Sequence, residues 1–304
     1  MTNDNSFTDE IKRQMKQGGM HIWLLIINLS LFVFIGLSMV VGNLTQASVP
    51  ISYFLKATFT LNTNLNEFVV QPWGLFTSIF AHFGFGHFLV NMLFLYFAGS
   101  LFLHFFTNRR LLHVYVIGGI VGGLFELLAH NLFPGMIGQA SVVVGASGSV
   151  MAIFLALAFY RPNLEINLFG VLPVRIIIIA GIYLLYDLVS LGSKDGTAHF
   201  AHLGGAFVGF LSVQNLQSSN NIINKSEVMI QKIRLFFASL FQPKSKLKVK
   251  KGGGRVIKTD EEYALEAKLK QKKIDAILDK ISKSGYESLS KAEKEFLFSQ
   301  SKNG

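Results

Sequence analysis

Six stretches of this chain are apolar for about the length a helix needs to cross a bilayer: 22–42, 84–106, 111–130, 145–160, 170–190 and 198–216. A hydrocarbon core about 30 Å thick takes about 20 helical residues, and inside it every backbone N–H and C=O must be paired within the chain. The composition agrees: 51% of residues are hydrophobic, with 29 Phe, and only 15% are charged, which is too apolar for an ordinary water-soluble domain. The fold class that follows is an all-α polytopic membrane protein of six transmembrane helices. Lys12, Arg13 and Lys16 precede the first stretch as they would in a signal peptide. Its apolar run is about twice a signal sequence's core and ends in no clear small-x-small site, so it reads as a retained span.

Charge orients the spans. Lys12, Arg13 and Lys16, then Arg109 and Arg110, then Arg161 and Arg175, then the basic tail all fall on one side of a six-span arrangement, which makes that side the cytoplasmic one. The opposite connections carry only Lys56, Glu67, Lys194 and Asp195, and both termini fall inside. Residues 218–304 hold 19 of the 28 Lys and Arg and 10 of the 18 Asp and Glu, hence nine of the ten net positive charges. Because this charge directly follows an apolar span and no stacking or groove-reading module accompanies it, the partner it implies is the lipid bilayer surface and not nucleic acid. With no cysteine, thiolate nucleophiles, thiolate metal sites and disulfides are excluded.

The chain divides into a cytosolic segment at 1–20, a six-helix domain at 21–217, a juxtamembrane basic amphipathic segment and linker at 218–255, and a cytosolic helical hairpin at 256–304. The first outer connection, 43–83, is rich in Phe, Leu, Ile and Trp73, a composition suited to structure lying in the interface and not to a solvated coil. Met229–Phe241 has apolar residues at helical spacing before the basic run 244–251, and Gly252–Gly254 follow as a linker,. Thr259 with Glu262 and Ser290 with Glu293 are capping-box pairs, and Gly285 lies between them as a helix stop,. The hairpin offers a surface for a cytosolic partner.

Polar side chains that persist in apolar spans carry a cost unless they are paired, so each calls for a functional hypothesis. His87 begins the second span, Ser147 the fourth, and His202 lies one turn into the sixth, each just after an outer connection and therefore at one depth. Asn91 is four residues after His87, on the same helix face. Ser147 lies in Gly145-Ala146-Ser147-Gly148 at a helix start, where free amide groups can hold an oxyanion. Gly205 and Gly209 follow His202 at GxxxG spacing and draw the sixth helix toward a small-residue partner, for which Gly145 and Gly148 on the fourth are the candidates. Such packing would bring the Ser147 hydroxyl to His202, the contact that activates a weak nucleophile.

The order of these motifs resembles the rhomboid family of intramembrane serine proteases. QPWGLFTSIFAHFGFGHFLVNMLFLYFAG from Gln71 to Gly99 is similar to that family's outer loop and second span, Gly145-Ala146-Ser147-Gly148 to its GxSG nucleophile motif, and Ala201-His202-Leu203-Gly204-Gly205 to its histidine helix. The resemblance covers about residues 20–215. It implies a rhomboid-like bundle of the bacterial six-span type in an inner membrane and a Ser147–His202 dyad with no carboxylate. It further implies an oxyanion hole from the Ser147 amide, His87 and Asn91, no metal or cofactor, and single-span transmembrane proteins as substrates. Gly145, Gly148, Met151 and Gly205 support the site, Met151 standing where the family often has an aromatic that packs on the imidazole.

His82, His104, His113, His130 and His199 lie at span ends, where a histidine is commonly structural. Glu126 and Asp187 lie near outer span ends, where hydration lowers the penalty for a carboxylate; Asp187 could also orient His202. A metal site from His82, His87, His199 and His202 is the rival chemistry, weakened because no acidic or thiolate ligand is expected beside them. A client-binding protein without activity, or a channel or transporter, are the rival classes. The intact serine and histidine disfavour the former, and the lack of an internal repeat or matched broken helices disfavours the latter.

Overall fold

The computed structural model describes residues 19–139, 141–168, 171–193, 195–241 and 260–301. They belong to two compact units, one reaching Phe241 and the other starting at Gln242. Lys12, Arg13, Lys16, Lys194, the basic run 244–251, Gly252–Gly254 and Thr259 lie outside the described residues.

The first unit opens with α1, Met20–Leu44. Its one buried polar residue besides His21, Asn28, donates from Nδ2 to the Leu24 carbonyl and to the Tyr115 hydroxyl, which donates to the Ile79 carbonyl. The connection 43–83 is folded, as its composition suggests. It comprises α2 (Ser48–Phe59), β1 (Leu61–Asn62), α3 (Leu65–Val70), α4 (Gly74–Thr77) and a 3-10 turn at Ser78–Phe80. Trp73 Nε1 donates to the Ala57 carbonyl at 3.0 Å and Thr77 Oγ1 to the Thr58 carbonyl at 2.6 Å, tying the end of α2 to α4. Val49, Tyr53, Phe54, Val69 and Val70 stay exposed, the apolar surface expected of an element lying against lipid.

After α5 (Phe85–Phe102) and α6 (Asn108–Leu132) come β2 (Val142–Val143), α7 (Ser147–Tyr160), β3 (Glu165–Leu168), β4 (Leu172–Arg175), α8 (Ile176–Val189), α9 (His199–Val213) and α10 (Ile222–Phe241). A helix occupies each of the six apolar stretches. Among the described residues α1, α5 and α6 are long and apolar enough to cross a membrane, whereas α7, α8 and α9 are apolar helices of 14, 14 and 15 residues. At about 1.5 Å per residue these three extend only about 21–23 Å. The fifth stretch is corrected at its start: 172–175 form β4, paired antiparallel with β3 with Ile166 opposite Val174. Pro173 has no N–H to give a helix and forces Leu172 into an extended conformation.

Packing centres on α7, in which every residue from Gly148 to Ala158 is buried, between α6 and α9. Glycines set the distance. A Cβ on Gly122 of α6 would lie 2.6 Å from the Ala201 carbonyl of α9, and one on Gly209 of α9 would lie 2.6 Å from the Ala152 carbonyl of α7. The GxxxG expectation is thus met by Gly148 and Ala152 on α7, since Gly205 meets Gly148; Gly145 faces elsewhere. Close backbone approach of this kind is what holds helices together where lipid removes the hydrophobic driving force.

At the opposite end, Arg110 does more than mark orientation. Its guanidinium donates to Asn221 and Asn224 and to the Ser212 carbonyl, tying the start of α6 to the end of α9 and the start of α10. Helix α10 begins before the expected Met229, with Ile223 buried and Met229, Ile230, Ile233 and Leu235 exposed.

The second unit contains α11 (Asp260–Ser284), a 3-10 turn at Tyr286–Ser288 and α12 (Lys291–Ser301). Gly285 has φ +74° and ends α11, a conformation that glycine adopts without a Cβ penalty. Ser290 and Glu293 form the reciprocal box: Ser290 N donates to Glu293 Oε2 at 2.7 Å and Glu293 N to Ser290 Oγ at 3.4 Å.

Candidate active site

Ser147 is the first residue of α7, and the strand before it is clamped. Strand β2 pairs with β1, Leu61 opposite Val143, and Thr63 exchanges hydrogen bonds with Ser141. Gly145 N donates to the Ser78 carbonyl at 3.0 Å and Ala146 N to His82 Nε2 at 3.4 Å. The amides of 145 and 146 are therefore occupied, whereas those of 147–149 are first-turn donors that no intrahelical carbonyl reaches. Gly145 has φ +126°, and a Cβ there would lie 2.5 Å from Cε1 of His87. Glycine is required twice over: for the backbone angle and for the imidazole.

His202 lies in the first turn of α9, whose N-cap, Ala198, supplies no side-chain hydrogen bond. The cap comes from another helix: Glu126 Oε2 on α6 accepts from Ala201 N at 3.1 Å, a carboxylate at the positive end of the helix dipole. His202 Nδ1 is 2.9 Å from Asp187 Oδ1, and the Tyr183 ring is tilted against its imidazole at 5.8 Å between centroids.

Ser147, His202, His87, Asn91, Met151 and Tyr183 line one cavity of about 900 Å³. The four candidates for chemistry thus share one space. Among the described residues no hydrogen bond joins Ser147 to His202; catalytic contacts of this type often tighten only when substrate arrives. Asn91 Nδ2 donates to the His87 carbonyl at 2.9 Å, which leaves its second amide hydrogen free to turn to the cavity. His82, fully buried, packs edge-on to His87 at 5.2 Å while accepting from Ala146. It links the loop before Ser147 to His87.

Three expectations change, and the residues of the rival metal grouping are drawn apart. The carboxylate-free surroundings implied for His202 contain Asp187. His199, read as structural, donates from Nδ1 to the same Asp187 Oδ1 at 2.7 Å and faces Asp195 Oδ2 at 3.1 Å. Asp187 and Glu126 are buried, at 0% and 4% exposure, and each accepts hydrogen bonds, Asp187 from two imidazoles and Glu126 from Ala201 N. The four-histidine metal grouping does not converge: His82 pairs with His87, while donor atoms of His199 and His202 meet at Asp187 within 4.8 Å. Their 2.7 and 2.9 Å separations from Oδ1 are those of N–H groups donating to a carboxylate.

Tyr183 and Asp187 are the residues that sequence reasoning undervalued. Tyr183 does for the imidazole what Met151 was expected to do from α7. The signal was present: in IIIIAGIYLLYDLV, Tyr183 and Asp187 stand four apart in an otherwise mainly aliphatic helix, so they share a face.

Residues 70–216 match the Rhomboid domain family, and residues 258–303 match a family of unknown function (DUF6576). The chain is 34% identical over 148 residues to RHOMBOID-like protein 12, mitochondrial, of Arabidopsis thaliana, covering 44% of this chain and 43% of the relative. It is 34% identical over 165 residues to RHOMBOID-like protein 1 of the same plant, covering 53% and 39%. To the Rhomboid protease AarA of Providencia stuartii it is 29% identical over 153 residues, covering 46% and 54%. The chain thus spans about half the length, or less, of these relatives. The matched segment begins just before α4 and ends just after α9, taking in all the cavity residues named above. This is a membrane protein with a rhomboid domain, and it belongs to the rhomboid family.

Proposed function

We propose that this protein is an intramembrane serine endopeptidase that hydrolyses peptide bonds in or near transmembrane helices of single-span membrane proteins, with Ser147 as nucleophile and His202 as general base. The observation that carries the reading is the convergence of Ser147, His202, His87 and Asn91 on one cavity within a rhomboid domain. His202 takes the Ser147 proton as Oγ attacks the scissile carbonyl. The oxyanion is held by the Ser147 amide with donors from His87 and Asn91. The imidazolium then protonates the leaving amine, and water releases the acyl enzyme. A substrate helix must unwind locally to present its carbonyl, which favours small, helix-destabilising residues at the cleavage site.

The six apolar helices are assigned as six spans. The end carrying Arg109, Arg110, Arg161 and Arg175 faces the cytoplasm and the cavity faces the outer side. Purified wild type, Ser147→Ala and His202→Ala, each with and without chelator, are tested on a model single-span substrate. Cleavage lost in both variants and indifferent to chelator is the expected result. Cleavage by no form across several substrates would favour a client-binding protein, and chelator-sensitive cleavage by Ser147→Ala would favour metal chemistry.

A further inference from the structure

We infer that Asp187 and His199 are positioning residues: His199, held between Asp187 and Asp195, keeps Asp187 as the carboxylate that fixes the tautomer and orientation of His202. The inference rests on the proteolytic reading of the site, and it adds to it a chain of four side chains running from the cavity to the outer loop.

The geometry carries it. Asp187 lies on α8 with no exposed surface, and a single oxygen, Oδ1, is 2.9 Å from His202 Nδ1 and 2.7 Å from His199 Nδ1. Its other oxygen, Oδ2, is buried and has no partner among the described residues, so the two imidazoles supply the hydrogen bonds described for this carboxylate. An ionised carboxylate only accepts. Both Nδ1 atoms must then carry hydrogen, which leaves Nε2 of a neutral His202 with a lone pair, the form a general base requires.

His199 is in a different position. Its second nitrogen, Nε2, lies 3.1 Å from Asp195 Oδ2 and 3.3 Å from Ser193 Oγ. A ring with a carboxylate oxygen at each nitrogen donates at both and is the imidazolium. Asp195 is on the exposed loop, where the Thr197 amide and then His199 hold its carboxyl down at about 2, so it stays ionised across the working range. The buried Asp187 thus faces a cation that is anchored from the outside. Without that cation the buried Asp187 charge would lack a counter-charge, and its hold on the ring proton of His202 would weaken. Tyr186 packs on His199 at 5.7 Å, and Glu126 from α6 lies within electrostatic range of both imidazoles.

A bare structural role, a polar tie between α8 and α9, uses the same contacts but makes different predictions. Asn at 187 is nearly isosteric and can still hydrogen-bond, yet its amide can donate to His202 Nδ1 and move the ring proton to Nε2, which removes the base. Asp187→Asn is expected to lower kcat at least about 100-fold with KM within about twofold. His199→Gln, which retains a donor without the charge, is expected to show a smaller kcat loss, about tenfold, again without a KM effect. Ser147→Ala run in parallel tests the protease reading itself; its failure, with cleavage persisting, would be seen independently of the relay.

The second measurement needs no cleavage. In 15N-histidine-labelled wild type, with signals assigned by single His→Gln variants, His202 is expected as the Nδ1–H tautomer and His199 as doubly protonated. A folded Asp187→Asn enzyme with wild-type kcat, or with a changed KM alone, overturns the inference. So does a spectrum with His202 protonated at Nε2 only. If Asp187→Asn does not fold, the wild-type spectrum decides alone.

Discussion

Gly205 on α9 rests directly on the backbone of Gly148 on α7, with no space between them for a side chain. This contact sets how far His202, three residues before Gly205, stands from Ser147, the residue before Gly148. The spacing of Ser147 and His202 is therefore a by-product of helix packing. Gly205→Val is expected to destabilise the protein by about 1–3 kcal/mol through overpacking and to abolish cleavage. Thermal unfolding in detergent, read beside cleavage, checks both; an unchanged midpoint would show that α7 and α9 do not meet there.

His87 and Asn91 are assigned as oxyanion donors, which act chiefly in the transition state. His87→Ala and Asn91→Ala are each expected to lower kcat by about 10²–10³ with little change in KM. Steady-state kinetics on a soluble reporter of the cleavage site measure the split. A defect confined to KM would make them substrate-binding residues.

Tyr183 supplies a ring and not a hydroxyl to His202. Tyr183→Phe should therefore keep most activity, whereas Tyr183→Ala, which frees the imidazole to move, is expected to cost about tenfold or more in kcat, since small misplacements of a catalytic group are expensive. Equal losses in both would shift the role to the hydroxyl.

The orientation is testable without background because the chain has no cysteine. Glu67→Cys lies on α3 in the first outer connection and Glu165→Cys on β3 beside Arg161 and Arg175. A membrane-impermeant maleimide applied to intact cells should label the first and not the second, and should reach the second after permeabilisation. The reverse pattern would invert the topology.

In the second unit, the amide of Ser290, followed by Lys280 at 3.0 Å, holds the Glu293 carboxyl down at about 2. A depressed carboxylate stabilises the fold above its ordinary value of about 4.5, and that contribution is lost as pH falls through about 2,. Acid titration followed by NMR should show α12 loosening at its N-terminus over that window, and Glu293→Gln should remove the dependence.

The sequence by itself determined the helices and that His87, Ser147 and His202 stand near the starts of three of them. Apolar length specifies helices because lipid satisfies no backbone group, and the places where these three residues interrupt that apolarity read out directly as positions along the helices. It also indicated Gly285 as the stop of α11 and Ser290–Glu293 as the cap of α12, since both depend on neighbours in the chain. Tertiary structure decided which faces meet. Gly145 turned out to make room for His87 and not for α9, Glu126 caps a helix 75 residues away, and Tyr183 sets its ring against His202, because each depends on the rotation of one helix about its axis relative to another. Asp187 is the clearest case. In sequence it is an acid near a span end; only the packing of α8 on α9 removes its water and puts two imidazoles on one oxygen, and that juxtaposition turns a costly charge into a directing group.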